Sequence, residues 1–220
     1  MPLELVEDLA LSYRLRTAKG HVKGLVILLH GVGGNERSMI PLSTQLPVDL
    51  HVALVRSPIA IGPSAYCAFP VSFTANGPTI DTKAAEESRQ SLSVFITQLQ
   101  ARLGIAPDQT IIAGFSQGGI MSASLALTKP EQVCGFAIIS GRILPDIAPL
   151  ISQSSGLKNL SVLIQHGIHD GTLPVAWADK SSKWLKSLDI SFIDKRYQAQ
   201  HEITPQMASD FTDWVSATLK

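Results

Sequence analysis

The residues that could do chemistry centre on Ser116. It lies in Gly114-Phe115-Ser116-Gln117-Gly118, a G-x-S-x-G spacing, with β-branched and apolar residues before it (Ile111, Ile112, Ala113) and a helical pattern after it (Ile120, Ala123, Leu125, Leu127). Such a stretch predicts a tight strand-to-helix turn that lifts the serine hydroxyl above a sheet. Gly114 and Gly118 fit that turn because a Cβ there would collide as helix meets strand. The helix N-terminus behind Ser116 offers free N–H groups to a developing negative charge. The chemistry is acyl transfer, with the serine as nucleophile.

A serine alone is a weak nucleophile. It needs a base to take its proton and a carboxylate to fix that base's tautomer. Where a nucleophile elbow of this kind carries the serine, the partners follow it in the order acid, then histidine, and on open α/β sheets such groups gather at the carboxyl ends of strands. Asp170, after the strand-like Val162–Gln165, and His201, after Ser191–Tyr197, satisfy both conditions. Asp146 is the rival acid, in what reads as a surface segment. His166 and His169 precede Asp170, against the order; His166 reads as a structural loop residue and His169 as solvated or packed beside the site. His30 reads as shaping the turn His30–Gly34, and His21 and His51 as surface residues.

An oxyanion hole needs two backbone N–H donors. Gln117 supplies one. Val32, in His30-Gly31-Val32-Gly33-Gly34, is the choice for the other, with Gly31 and Gly33 as alternatives. That glycine-rich turn lacks the Lys-Ser/Thr ending of a phosphate-binding loop and has no G-x-G-x-x-G spacing.

The elements that must position these groups alternate. Leu25–Leu29 and Val52–Val55 read as buried strands, with a helix from about residue 36 to Leu46, closed by Pro47, between them. Leu9–Arg16 reads as an edge strand, and Lys83–Leu103 as an amphipathic helix ended by Gly104. Thr110–Ala113, Phe136–Ile139, Val162–Ile164 and Ser191–Tyr197 complete the strands. Pro174–Leu188 is helical, and Thr204-Pro205 opens a last helix as N-cap and first residue. This rhythm predicts a single α/β domain over residues 1–220, with a mostly parallel central sheet and helices on both faces. Arg56–Asp81 interrupts it as a long irregular excursion. Its aromatics Tyr66, Phe69 and Phe73 serve either as the wall of a substrate pocket or as ordinary core.

With 45% hydrophobic and 16% charged residues and zero formal net charge, the chain is globular and carries no basic patch for nucleic acid or an anionic membrane. Its longest apolar run, Leu25–Leu29, is too short to cross a bilayer, which excludes stable membrane insertion on this reading. The N-terminus lacks a secretory pattern, and the two cysteines, Cys67 and Cys134, have no metal or redox spacing. These features predict a cytoplasmic protein with no metal site.

Four motifs, in order, carry a family resemblance over nearly the whole chain: Leu29-His30-Gly31-Val32-Gly33-Gly34-Asn35-Glu36, Gly114-Phe115-Ser116-Gln117-Gly118-Gly119, His166-Gly167-Ile168-His169-Asp170 and His201-Glu202-Ile203. The chain resembles the phospholipase/carboxylesterase family of serine α/β hydrolases, which includes acyl-protein thioesterases and small bacterial carboxylesterases. The resemblance implies an α/β-hydrolase fold with Ser116, Asp170 and His201 as triad and Val32 and Gln117 as oxyanion donors. It also implies no metal or organic cofactor, a small-molecule ester as partner, and a homodimer among the assemblies it allows. Two departures stand out. Acyl-protein thioesterases carry Trp-Phe-Asp where this chain has Ala68-Phe69-Pro70, which reshapes the pocket wall and argues against a lipidated-protein substrate. The family's glycine shortly before the histidine is replaced by Ala199-Gln200. The span from Arg142 to Val162 is too short for a large cap, which favours small to medium acyl esters. Arg142 itself reads either as a contact for an anionic substrate group or as a surface residue. A thioesterase or lysophospholipase would share the mechanism; a peptidase or a non-catalytic binding protein on this scaffold are the readings from other classes.

Overall fold

The computed structural model describes residues 3–74 and 77–220, without the side chains of residues 73–78. In chain order the elements are β1 (Leu5–Val6), β2 (Tyr13–Arg16), β3 (Gly24–Leu29), α1 (Ile40–Ser43), β4 (Leu50–Val55), β5 (Ile59–Gly62), β6 (Ala65–Cys67), β7 (Val71–Thr74), β8 (Gly77–Ile80), α2 (Thr82–Leu103), β9 (Thr110–Phe115), α3 (Gln117–Thr128), β10 (Gly135–Ile139), β11 (Ser161–Gly167), α4 (Ala176–Ser187), β12 (Ile193–Tyr197) and α5 (Pro205–Thr218).

The continuous apolar runs become the centre of an eight-stranded sheet in the order β1-β2-β4-β3-β9-β10-β11-β12. All neighbours from β4 to β12 run parallel; only β1–β2 and β2–β4 are antiparallel. Successive strand residues alternate between two cores, as the period of two demands. Ile27, Ile112, Phe136 and Ile164 pack on one face with Phe95 and Leu99 of α2, Leu125 of α3 and Leu185 of α4. Val26, Ile111, Ala137 and Leu163 pack on the other with Leu42 of α1 and Phe211 and Trp214 of α5. This is the α/β-hydrolase architecture, and among the described residues no separate cap stands over it.

The helix ends follow the residue chemistry. Asp81 caps α2 by accepting from the Ala84 N–H at 2.9 Å, and Gly104 ends it at a left-handed φ of 66°. Thr204 caps α5 through the Met207 N–H at 3.2 Å, with Pro205 at its first position.

Three expectations are corrected. Residues 9–12 are outside any strand, and β2 is not the edge, because the two-residue β1 pairs outside it. The helix expected from about residue 36 to Leu46 is a 3-10 turn, Glu36–Met39, followed by the single turn of α1; Pro41, at its second residue, has no N–H to carry an α-helix through from the 3-10 turn. The excursion over residues 56–81 is not irregular but two small antiparallel hairpins, β5–β6 and β7–β8. Among the described residues no helix is long and apolar enough to cross a membrane.

Candidate active site

The site forms where β3, β9, β10, β11 and β12 end. Ser116 occupies the turn between β9 and α3 with φ 55° and ψ −118°, a strained conformation for a residue with a side chain. The turn holds because both flanking glycines are indispensable. A Cβ on Gly118 would lie 2.2 Å from the Leu29 carbonyl oxygen, and one on Gly114 would lie 2.3 Å from the Gly118 carbonyl carbon. The Ser116 N–H donates to Ile139 O at 2.8 Å, pinning the turn to β10.

The loops after β11 and β12 bring the two partners. The Ile168 and His169 N–H groups donate to Tyr197 O and Ala199 O at 2.9 and 3.0 Å, so the loops are tied backbone to backbone. Ala199, which replaces the usual glycine, is buried, and the loop still carries His201 to Ser116. His201 Nε2 lies 3.0 Å from Ser116 Oγ, and His201 Nδ1 lies 2.7 Å from Asp170 Oδ2. The carboxylate requires Nδ1–H as donor, which leaves Nε2 to accept from the serine hydroxyl. The Phe115 ring packs against the imidazole with centroids 4.8 Å apart. Asp170 is buried, and its Oδ1 accepts from the Thr172 and Leu173 N–H groups at 2.9 and 2.8 Å.

Of the other histidines, His21, His30 and His169 sit as expected, whereas His166, expected in a loop, lies within β11, and His51, expected at the surface, is half-buried in β4 and accepts from the Ala18 N–H at 3.2 Å. His166 is fully buried under Asp170, its Nε2 3.3 Å from Oδ2 and 2.7 Å from Leu173 O, while Nδ1 has no partner among the described residues. Burial pushes its pKa down, so it stands neutral with the proton on Nε2. His169 is exposed and contacts Gln198 Oε1 at 2.8 Å. His30 braces the glycine turn, with Nδ1 donating to Gly31 O at 2.7 Å and Nε2 accepting from the Ser57 N–H at 3.0 Å. Asp146 is exposed on a surface turn after Arg142.

The turn after β3 narrows the choice of oxyanion donor. The Gly33 and Gly34 N–H groups are committed to Tyr66 O and Gly31 O at 2.9 and 3.1 Å. The N–H groups of Val32 and Gln117 make no hydrogen bond among the described residues, and both residues border the same cavity as Ser116. That cavity, about 150 Å³, is walled by Phe69, Val71, Ile80, Ile120 and Leu173, with Arg142 in its lining. A second cavity of about 430 Å³ lies beyond His201 and Phe115, against Met39, Leu42 and Ile203.

Of the three expected pocket aromatics, Phe69 lines the Ser116 cavity. Tyr66 does not: its ring is stacked under Arg56, 4.6 Å from centroid to Cζ, and its backbone braces the Gly33–Gly34 turn. Alternation along β6 turns that side chain away from the site. The side chain of Phe73 lies outside the described residues.

Two contributors escaped the sequence reading. The Gln117 side chain accepts from the Ala68 N–H at 2.7 Å and donates to Phe69 O at 2.8 Å, tying the two-hairpin excursion to the turn that holds Ser116. Glu36 is buried with its carboxylate between Arg14 Nε and Arg56 Nε, each at 2.8 Å, locking the loop after β3 to β2 and β4. Burial alone would raise its pKa, but the two guanidinium hydrogen bonds hold it at about 2. An acidic residue next to a glycine turn, with arginines at 14 and 56, was the available signal. Among the described residues no group of three or more His, Cys, Asp or Glu could hold a metal ion.

Comparison with known proteins places this geometry in context. The family model described as Phospholipase/Carboxylesterase matches residues 13–219. The chain is 25% identical over 236 residues to acyl-protein thioesterase 1 of Kluyveromyces lactis, covering all of both chains. It is 24% identical to carboxylesterase SOBER1 of Arabidopsis thaliana, covering 89% of this chain and 90% of that one. A carboxylesterase from Mesorhizobium loti shares the fold with a TM-score of 0.85 at 20% identity, over 98% of this chain and 99% of that one. Esterase PE8 is 27% identical with a TM-score of 0.79, over 95% and 99%.

Proposed function

This chain belongs to the phospholipase/carboxylesterase family and is a serine ester hydrolase, and from that premise we propose that Ser116, His201 and Asp170 are its catalytic triad, hydrolysing small to medium acyl esters through an acyl-enzyme. The observation that carries the reading is the unbroken relay from Ser116 Oγ through His201 to Asp170, at 3.0 and 2.7 Å.

Ser116 attacks the carbonyl carbon while His201 Nε2 takes the hydroxyl proton. Asp170 stabilises the imidazolium, itself held by the Thr172 and Leu173 N–H groups. The N–H groups of Val32 and Gln117, which have no other acceptor among the described residues, receive the oxyanion. His201 returns the proton to the leaving oxygen, and water repeats the sequence on the acyl-enzyme. The leaving oxygen must lie beside His201 Nε2, which directs the alcohol toward the cavity beyond His201 and the acyl chain into the cavity beside Phe69. The same machinery would cleave a thioester, a second reading favoured by the full-length similarity to acyl-protein thioesterase 1 of Kluyveromyces lactis.

The test is hydrolysis of p-nitrophenyl esters from acetate to palmitate by the wild type and Ser116→Ala. Turnover that peaks at short or medium chains and vanishes in the variant is expected. A long-chain optimum would replace the substrate assignment with a lysophospholipase-like one, and turnover surviving in Ser116→Ala would overturn the triad.

A further inference from the structure

Arg142, just after β10, is a charge without a partner. The residue is buried, with 9% of its surface exposed, yet its side chain forms no ion pair or hydrogen bond among the described residues. Its Nε is sealed from solvent with no acceptor. Its packing contact is the Trp177 ring, with Cζ 4.1 Å from the centroid. Burial draws its pKa down, opposed only through space by the exposed Asp146. Among the described residues the other buried arginine, Arg89, is answered, by Glu86 at 2.6 Å and Thr128 Oγ1 at 2.9 Å. Burying an unpaired guanidinium carries a large desolvation cost, so a fold that keeps one has a use for its donors.

That use is set by location. Arg142 lines the cavity that also holds Ser116 and Gln117, whose remaining walls are mainly apolar. One face of the guanidinium rests on the indole, which leaves its edge, the part that grips a carboxylate in a fork, for a ligand. The cavity is the one assigned above to the acyl chain. We propose that Arg142 is a specificity-determining residue that binds an anionic group at the far end of the acyl chain, making half esters of short dicarboxylic acids the preferred substrate class. This inference rests on the triad reading and adds the substrate's charge to it. Bond changes are those of ordinary ester hydrolysis: Ser116 Oγ bonds the acyl carbon, the alcohol leaves with the proton from His201, and water releases the dicarboxylate. Arg142 takes no part in them.

The test compares p-nitrophenyl hexanoate with mono-p-nitrophenyl adipate, which have the same acyl length and differ in a terminal methyl against a carboxylate. The readout is the ratio of their kcat/KM values within one preparation, so any loss of folded enzyme cancels. The wild type should favour the adipate ester. Arg142→Met should cut the ratio by about 10- to 100-fold, the range of a charge-assisted hydrogen bond, chiefly through the KM of the adipate ester. Arg142→Lys, which keeps the charge but not the fork, should fall between. A wild type that favours hexanoate, or a ratio that Arg142→Met leaves within about threefold, overturns the proposal while Ser116-dependent hexanoate hydrolysis leaves the triad standing. Adipate and hexanoate turnover that both survive Ser116→Ala would remove the triad and this proposal with it.

Discussion

Replacing Glu36 by glutamine should destabilise the protein in a way that disappears in acid. The carboxylate joins three separate pieces of chain: the loop after β3, Arg14 of β2 and Arg56 just after β4. Its pKa in the folded protein is about 2, against an ordinary value of 4.5. At 1.36 kcal/mol per pH unit, that gap corresponds to about 3 kcal/mol of stability at neutral pH. A folded pKa below the unfolded one means that this contribution is complete above about pH 4.5 and is lost as pH falls toward about 2. Glutamine keeps the shape and gives up the charge, so Arg14 and Arg56 face a neutral group at every pH. In the wild type they face one only once Glu36 is protonated. The two proteins should therefore differ by about 3 kcal/mol at pH 7 and converge at low pH. Urea unfolding of wild type and Glu36→Gln at several pH values between 7 and 2.5 reads this directly, with the midpoint shift at constant slope as the measure. A difference that stays constant across that range, or one below about 0.5 kcal/mol at pH 7, would refute the electrostatic account of this loop.

Two further predictions address the site. In Asp170→Asn the amide oxygen must keep accepting from the Thr172 and Leu173 N–H groups, so the NH₂ faces His201 and forces its proton onto Nε2, the wrong tautomer; kcat on any ester the wild type turns over should fall on the order of 10⁴-fold with the circular dichroism spectrum preserved, and a loss under about tenfold would contradict the role given to Asp170. Gly118→Ala would push a Cβ to 2.2 Å from the Leu29 carbonyl oxygen, a backbone atom that cannot swing away; moving α3 off β3 should lower Tm by about 5 °C or more and kcat/KM by about 100-fold, and an unchanged Tm with full activity would show that the turn has slack.

How much of this was legible in the sequence follows from the range of the interactions. The strand, turn and helix around Ser116 were readable because Ile111–Ala113, the two glycines and the helical pattern after them act locally, and the structure keeps all three. Asp170 and His201 were reachable because chain order and strand ends restrict the choice before any contact is known. The caps of the last helix and of the Gly104 terminus were likewise encoded in single residues. What failed was set at a distance. The two residues of β1 show no periodicity and are a strand only because β2 offers an edge. The hairpins of residues 59–80 depend on turns that a stretch rich in proline and glycine does not announce. Tyr66 looked like a pocket aromatic, but strand alternation sends its ring to Arg56. Arg142 left two readings open because burial against Trp177, 35 positions downstream, is a tertiary fact.

In the proposed mechanism Ser116 is the nucleophile, activated by His201. Labelling with a fluorophosphonate, followed by peptide mapping, tests it most directly. One adduct per chain is expected, on the peptide carrying Gly114-Phe115-Ser116-Gln117-Gly118, with labelling slowed by orders of magnitude in a folded His201→Gln variant through loss of the general base. An adduct on another residue, or labelling of Ser116 at an unchanged rate without His201, would contradict it.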